Sequence, residues 1–377
     1  MTFISPRRPC YTGEGMGGST VFLYHDDFLK YQFGAWHPFQ PVRERMTLDT
    51  LRSLGALDGS PVVVPTPVDM DTLMTVHLEG YIERVRELSR RGGLLDRGDT
   101  PARPGLYEGA LMAVGATVDA ARGIARGEFE HAFNPAGGLH HAHPARAAGF
   151  CVFNDIAVAV RALQREFGIG RVAVVDIDAH HGDGTQAIFY DEDVLTISLH
   201  RYGDDFFPGS GEADEIGEME GMGSNINVPL PAGTDDNLFL HAFRSVAIPA
   251  LRSYRPDVII QQFGVDGHYR DPLADMGYTT RGYAEVAKLT HELAHELCEG
   301  RYLVLGGGGY DLDATRRAWS IMYCIMSEAS VDRGRIMELH DQEAPLADRR
   351  TADRVLEVIE EVRQRSLPLL ERVIRYA

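Results

Sequence analysis

Short apolar, β-branched runs alternate along this chain with longer stretches in which apolar residues recur at helical spacing. Val21 to Tyr24 reads as a first strand, and a polar segment with His37-Pro38 and Arg43 leads to a helix-like stretch from Thr47. Val62 to Val64 is again strand-like, whereas Asp69 to Arg91 keeps a mainly helical spacing until Gly92-Gly93 stops it. Gly98 to Gly105, with Asp99, Pro101 and Pro104, reads as a surface loop, and Glu108 to Gly127 is Ala-rich and helical. A strand at His131 to Phe133 runs into the turn Pro135-Ala136-Gly137-Gly138, and a helix spans Asn154 to Phe167. Val172 to Val175, Val194 to Leu199, Val258 to Val265 and Tyr302 to Leu305 supply the later strands. A loop region and a helix near Asn237 to Ser253 separate the middle two. This alternation implies an α/β fold with a mostly parallel sheet covered on both faces, in which ligands bind beyond the carboxyl ends of the strands.

From Val331 the chain becomes more charged, and Val355, Leu356, Val358, Ile359 and Val362 suggest an amphipathic helix before Pro368. Its expected role is packing. No internal repeat or low-complexity linker is visible, so the expectation is one domain over residues 1–377, with 330–377 as a helical extension packed on it.

The chemistry concentrates between Arg171 and Gly184. There a buried-strand pattern is followed at once by Asp176, Asp178, His180, His181 and Asp183. Charges at the end of a buried strand are costly to desolvate unless they are paired or hold a metal. Asp178 and His180, spaced Asp-x-His, suit one divalent ion, and Asp266 in F-G-V-D-G-H is a plausible third ligand that leaves a position open for water and substrate. Two carboxylates cancel the metal's charge, so its water is acidified less than by three histidines, and a general base is needed. His140-His141, just beyond Gly137-Gly138, suits that role, with Asp176 and Asp183 as orienters of histidine tautomers.

Composition narrows the possibilities. At 377 residues and 44% hydrophobic, the chain can bury a large core. It has no apolar run of the roughly 18 residues a membrane helix needs, and Met1 to Thr20 lacks a signal-peptide core, so a soluble cytoplasmic protein is expected. Cys10, Cys151, Cys298 and Cys324 are scattered without metal-ribbon spacing and read as reduced thiols. A net charge of -18 argues against nucleic acid as a ligand and could steer cationic substrates inward.

The segments G-G-L-H-H-A, G-F-C-V-F-N-D, V-D-I-D-A-H-H-G-D-G, F-F-P-G-S-G and L-G-G-G-G-Y together resemble the zinc-dependent histone deacetylase family, from about Val21 to Trp319. W-H-P-F-Q-P-V-R and D-G-H-Y-R-D-P-L are most similar to the bacterial acetoin-utilisation deacetylases. The resemblance implies an arginase/deacetylase fold, a three-layer α/β/α sandwich around a mostly parallel sheet of about eight strands. It implies Asp178, His180 and Asp266 as zinc ligands, His140 and His141 as the catalytic pair, and Tyr310 as the residue that polarises the amide carbonyl. Phe150 and Phe207 would wall a narrow tunnel, with the Gly149 carbonyl near the substrate amide, Asp99 at the rim and Arg43 lining an internal product cavity. Structural potassium would sit beside the zinc, near Asp176, Asp178, His180, Ser198 and Leu199. A site of this composition would also accept iron(II).

Three other readings fit the residues less well. His291-Glu292-Leu293-Ala294-His295 spells H-E-x-x-H in a helical stretch, but the helix has an ordinary apolar face and the sequence offers no separate cleft or third ligand. Arginase-like chemistry with two manganese ions needs acids where this chain has Gly182 and His268. A binding module without activity would have no reason to carry every residue the chemistry needs. The expected reaction is therefore metal-assisted amide hydrolysis. His141 takes the proton from water and returns it to the amine, while His140 tunes the electrostatics with Asp176 beside it and Asp183 beside His141. For the substrate, the apolar Leu273 follows Asp271-Pro272 where polyamine-selective relatives carry a glutamate. That favours acetyl-lysine in protein, such as a metabolic acyl-CoA synthetase, over small acetylated polyamines.

Overall fold

The computed structural model describes residues 20–203 and 205–370. Its strands are β1 (Thr20–Leu23), β2 (Val62–Val63), β3 (Gly93–Leu94), β4 (Pro101–Ala102), β5 (His131–Asn134), β6 (Val172–Asp176), β7 (Leu195–Arg201), β8 (Asn225–Leu230), β9 (Val258–Gln262) and β10 (Tyr302–Leu305). Eight of them form one sheet in the order β2-β1-β5-β10-β9-β6-β7-β8. Every neighbouring pair in it is parallel, so all eight carboxyl ends open on the same edge. Strands β5, β6, β9 and β10 are buried along their whole length, as expected when helices cover both faces.

Several elements depart from the expectations in ways that bear on the site. The first helix is Val42–Leu54, starting ahead of Thr47 with Pro41 at its N-cap position. Arg43 and Glu44 hid its start, because both are buried and lie 3.4 Å apart instead of facing solvent. The single helix expected over Asp69 to Arg91 is two, Met70–Leu73 and Glu79–Arg91. The break lets buried His77 turn inward, where its Nε2 accepts from the Asn154 amide at 2.9 Å. The expected loop at Gly98 to Gly105 contains β4, which closes a small antiparallel hairpin with β3. Pairing in β9 ends at Gln262, ahead of Val265.

β8 replaces part of the expected loop region before Asn237 to Ser253. Its sequence N-I-N-V-P-L disguises it, but it lies at the sheet edge, where Pro229 removes no needed donor. In the tail, the helix Arg349–Arg365 buries Val355, Val358, Ile359 and Val362 while Leu356 stays exposed, so the apolar stripe is narrower than expected. This helix packs on β8, the last strand of the sheet.

Among the described residues no helix is long and apolar enough to cross a membrane. Cys151 and Cys298 are buried free thiols and Cys324 is a half-buried one, whereas Cys10 and nearly all of Met1 to Thr20 lie outside the described residues.

Candidate active site

Parallel strands deliver the chemistry to one edge. β6 ends at Asp176, and Asp178 and His180 occupy the bends that follow it; the segment after β9 supplies Asp266, and the Gly306–Gly309 turn after β10 leads to Tyr310. The segment after β5 carries His140 and His141.

Asp178, His180 and Asp266 are all buried, with one donor atom from each within 4.8 Å of the others. His180 Nδ1 lies 2.7 Å from Asp266 Oδ2 and 3.2 Å from Asp178 Oδ1. The carboxylates are held from behind: Asp178 Oδ2 accepts from Gln262 Nε2 at 2.7 Å and the Gly308 amide at 2.8 Å, and Asp266 Oδ1 accepts from the Ala179 amide at 2.8 Å. Gly308 has to be glycine, because a Cβ there would sit 2.3 Å from Asp266 Oδ2. Burial and the Asp178 charge push Asp266 up to about 6. Burial alone would lower His180, but the two carboxylates outweigh it and raise the imidazole to about 10. Both groups are shifted upward, which marks an excess of negative charge that a divalent cation would neutralise. Two carboxylates and one imidazole, closing three corners and leaving the rest open, fit such an ion.

Two histidine–carboxylate pairs stand beside this triad. His140 Nδ1 is 2.6 Å from Asp176 Oδ2, His141 Nδ1 is 2.7 Å from Asp183 Oδ1, and the two Nε2 atoms face each other at 3.0 Å. Burial works against a charge on His140, yet Asp176 and Asp178 overcome it and carry it up to about 9. Burial and its charged neighbour push His141 down to about 4 despite Asp183. The pair is thus split into a cation and a neutral base, with the base's Nδ1–H donated to Asp183 and its Nε2 facing the Nε2–H of His140 beside the triad.

Tyr310 is half-buried, and its backbone amide donates to Asp271 at 2.7 Å. Burial first, then the charges of Asp266 and Asp178, raise its hydroxyl well above the usual range, so it remains a donor. Buried Arg43 donates to the Gly309 carbonyl at 2.9 Å and lies over the rings of Phe39 and Trp319, which fixes the turn that carries Tyr310.

Above these groups opens a cleft of about 360 Å³ whose lining includes Asp99, Gly149, Phe150, Phe207, Leu273 and Tyr310. Gly149 has φ 50°, and a Cβ on it would meet His141 Cδ2 at 2.4 Å. Phe207 packs edge-on against His141 with centroids 5.0 Å apart. Asp178, His180, Asp266, His140, His141 and Tyr310 thus lie at one edge of the sheet, and Asp99, Gly149, Phe150, Phe207 and Leu273 line the cleft.

Other neighbours went unanticipated. Phe206 stacks on His180 at 4.7 Å; its place beside Phe207 in F-F-P-G-S-G was the available signal. Gln262 and Asp271 carried only the hint of a polar residue at a buried strand end or turn. His143 shares Asp183 at 3.0 Å. His268 is bound to Asp341 at 2.8 Å, away from the metal triad. The expectation that the H-E-x-x-H helix has no third ligand is corrected: His131, at the start of β5, brings its ring against His291 and His295. Strand and helix are too far apart in sequence for spacing to reveal that contact.

The sheet and this constellation together define a class. The family model for the histone deacetylase domain matches residues 37–326, and the chain belongs to that family, whose members hydrolyse amides. Within it the chain is of AcuC type. It is 41% identical over 318 residues to the acetoin utilization protein AcuC of Bacillus subtilis (strain 168), covering 81% of this chain and 82% of that protein. It is 36% identical over 326 residues to the protein of the same name from Staphylococcus aureus (strain MSSA476), covering 84% and 83%. Among solved structures, the HDA15 HD domain superposes with a TM-score of 0.81 at 29% identity, over 95% of this chain and 98% of that one, which places both in the arginase/deacetylase fold.

Proposed function

We propose that this chain removes the acetyl group from acetyl-lysine side chains in protein segments, using zinc held by Asp178, His180 and Asp266. The observation that carries the reading is the meeting of this triad with neutral His141 and protonated Tyr310 at the base of one cleft. Zinc bound there would supply a Lewis acid for the amide carbonyl and acidify a water; iron(II) would suit the same donors. Tyr310 donates its hydroxyl hydrogen bond to the carbonyl oxygen as charge develops on it. His141 Nε2 accepts the proton of the attacking water and returns it to the departing amine nitrogen. His140, kept cationic by Asp176 and Asp178, adds positive charge beside the reacting centre. Acetate and a free lysine amine result. Potassium near Asp176, Asp178, His180, Ser198 and Leu199 is assigned a structural role.

The mouth supports a lysine side chain. Phe150 and Phe207 present apolar walls to its methylenes, Leu273 is 37% exposed at the opening, and Asp99 offers an acceptor to flanking peptide amides. The natural target would be a cytoplasmic metabolic enzyme such as an acyl-CoA synthetase. One observation favours small acetylated polyamines as a second reading: exposed Asp205 also lines the cleft, where it could pair with an internal ammonium. The deciding measurement is the ratio of kcat/KM for an acetyl-lysine peptide to that for acetylated putrescine or spermidine. We expect it to favour the peptide, and a tenfold preference for the polyamine reverses the assignment.

A further inference from the structure

His131, His291 and His295 meet at the amino end of β5, the end of that strand remote from the deacetylase cleft. His291 and His295 are one turn apart on the helix Thr280–Cys298, so their side chains share a face, and His131 reaches that face from the sheet. His131 and His291 are buried at 3% and 7% exposure, and His295 opens to solvent. His291 Nε2 lies 3.0 Å from His131 Nε2 and 3.0 Å from His295 Nε2.

Ordinary hydrogen bonding accounts for only one of these two contacts. A neutral imidazole nitrogen carries either one hydrogen or one in-plane lone pair, so His291 Nε2 satisfies one of its two neighbours and leaves the other facing it uncompensated. Protonating buried His131 or His291 would supply a donor, but it would put a cation beside further imidazoles in a largely desolvated place. A metal ion resolves the conflict because it takes all three lone pairs at once. Tetrahedral zinc, at roughly 2.0–2.1 Å from each nitrogen, holds its donors roughly 3.3 Å apart. Both measured separations are close to that spacing, and the third donor pair is within 4.8 Å. Exposed His295 is the ring freest to turn and complete the tripod.

We propose that these three histidines form a second, separate site for a divalent transition ion, zinc foremost, with its fourth position open to solvent on the His295 side. Three neutral nitrogen donors select zinc, copper, nickel or cobalt over magnesium and calcium, which want oxygen. The ion would pin the helix Thr280–Cys298 to β5. It would not make a zincin protease: Glu292, the base of that motif, is 60% exposed and lies 3.9 Å from Lys288, away from the tripod.

The test is metal stoichiometry on the full chain, stripped with chelator and reloaded with zinc in modest excess. Wild type should hold two ions and His295→Ala one, with deacetylase turnover unchanged, since His295 is exposed and far from the cleft. Cobalt(II) provides an independent readout. Asp178→Ala should still take up one cobalt with a visible four-coordinate spectrum and a raised Tm, and adding His295→Ala should abolish both. A single ion in wild type, or two ions surviving His295→Ala, overturns the proposal. Failure of the deacetylase assignment would show in a different place, as loss of the Asp178-dependent ion or its irrelevance to turnover.

Discussion

At the carboxyl edge of the sheet, the two carboxylates of the triad are held from behind, Asp178 by Gln262 and the Gly308 amide and Asp266 by the Ala179 amide. At the amino end, His131, His291 and His295 face one another, and among the described residues no carboxylate belongs to their cluster. The first triad is negative, its carboxylates aimed by an outer layer of donors, and it is topped by a cleft; the second is built of imidazoles alone. Chemistry on an amide needs donors fixed in place and an approach for substrate, so only the first arrangement suits catalysis. A tripod of imidazoles on a helix and a strand suits an ion that ties two elements together.

The sharpest way to break this comparison is to remove a ligand from the carboxyl edge. Asp178→Ala should abolish turnover and the ion bound there while leaving the fold and the amino-end ion in place; full activity by peptide assay would end the catalytic assignment. Tyr310→Phe comes next. It deletes one donor to the carbonyl oxygen, so kcat should fall roughly 100- to 1,000-fold at unchanged zinc content. If metal is lost in step with activity, Tyr310 holds the site together and does not act on substrate.

A smaller change probes the layer that the amino end lacks. Gln262→Met keeps volume but removes the donor to Asp178, and metal affinity should drop roughly 10- to 100-fold, with turnover recovering when metal is supplied in excess. Unaltered affinity would mean that the outer layer is not what separates the two sites. The smallest expected effect is at the mouth. Leu273→Glu adds one exposed carboxylate, for which ion pairs contribute about 0.2–1 kcal/mol, so the substrate ratio should move toward acetylated polyamines by up to about fivefold. A shift toward the peptide would refute the view that the mouth residue reads the substrate's charge.

The catalytic edge was legible because its residues are clustered locally. Asp176, Asp178, His180 and Asp183 fall within one short segment after a buried strand, and desolvation cost alone demands a partner for such charges. Parallel strands then imply that Asp266 and Tyr310, each following a strand, arrive at the same edge. The misreadings have the opposite character. Arg43 and Glu44 look solvent-facing but lie against each other inside, and β8 looks like a loop because its Asn side chains bond to Gln186 and its Pro sits where an edge tolerates it.

The amino-end tripod marks the boundary most clearly. Local pattern determined the helix that carries His291 and His295 and the strand that begins at His131, since both follow from the spacing of apolar residues along a short stretch. That the two elements bring three imidazole nitrogens together was decided only by the sheet order, which places β5 next to β10 and lays the preceding helix against them. Spacing along the chain reports which residues share a face. Which faces meet depends on how the whole sheet and its helices close over one core, and that is a property of the packed molecule alone.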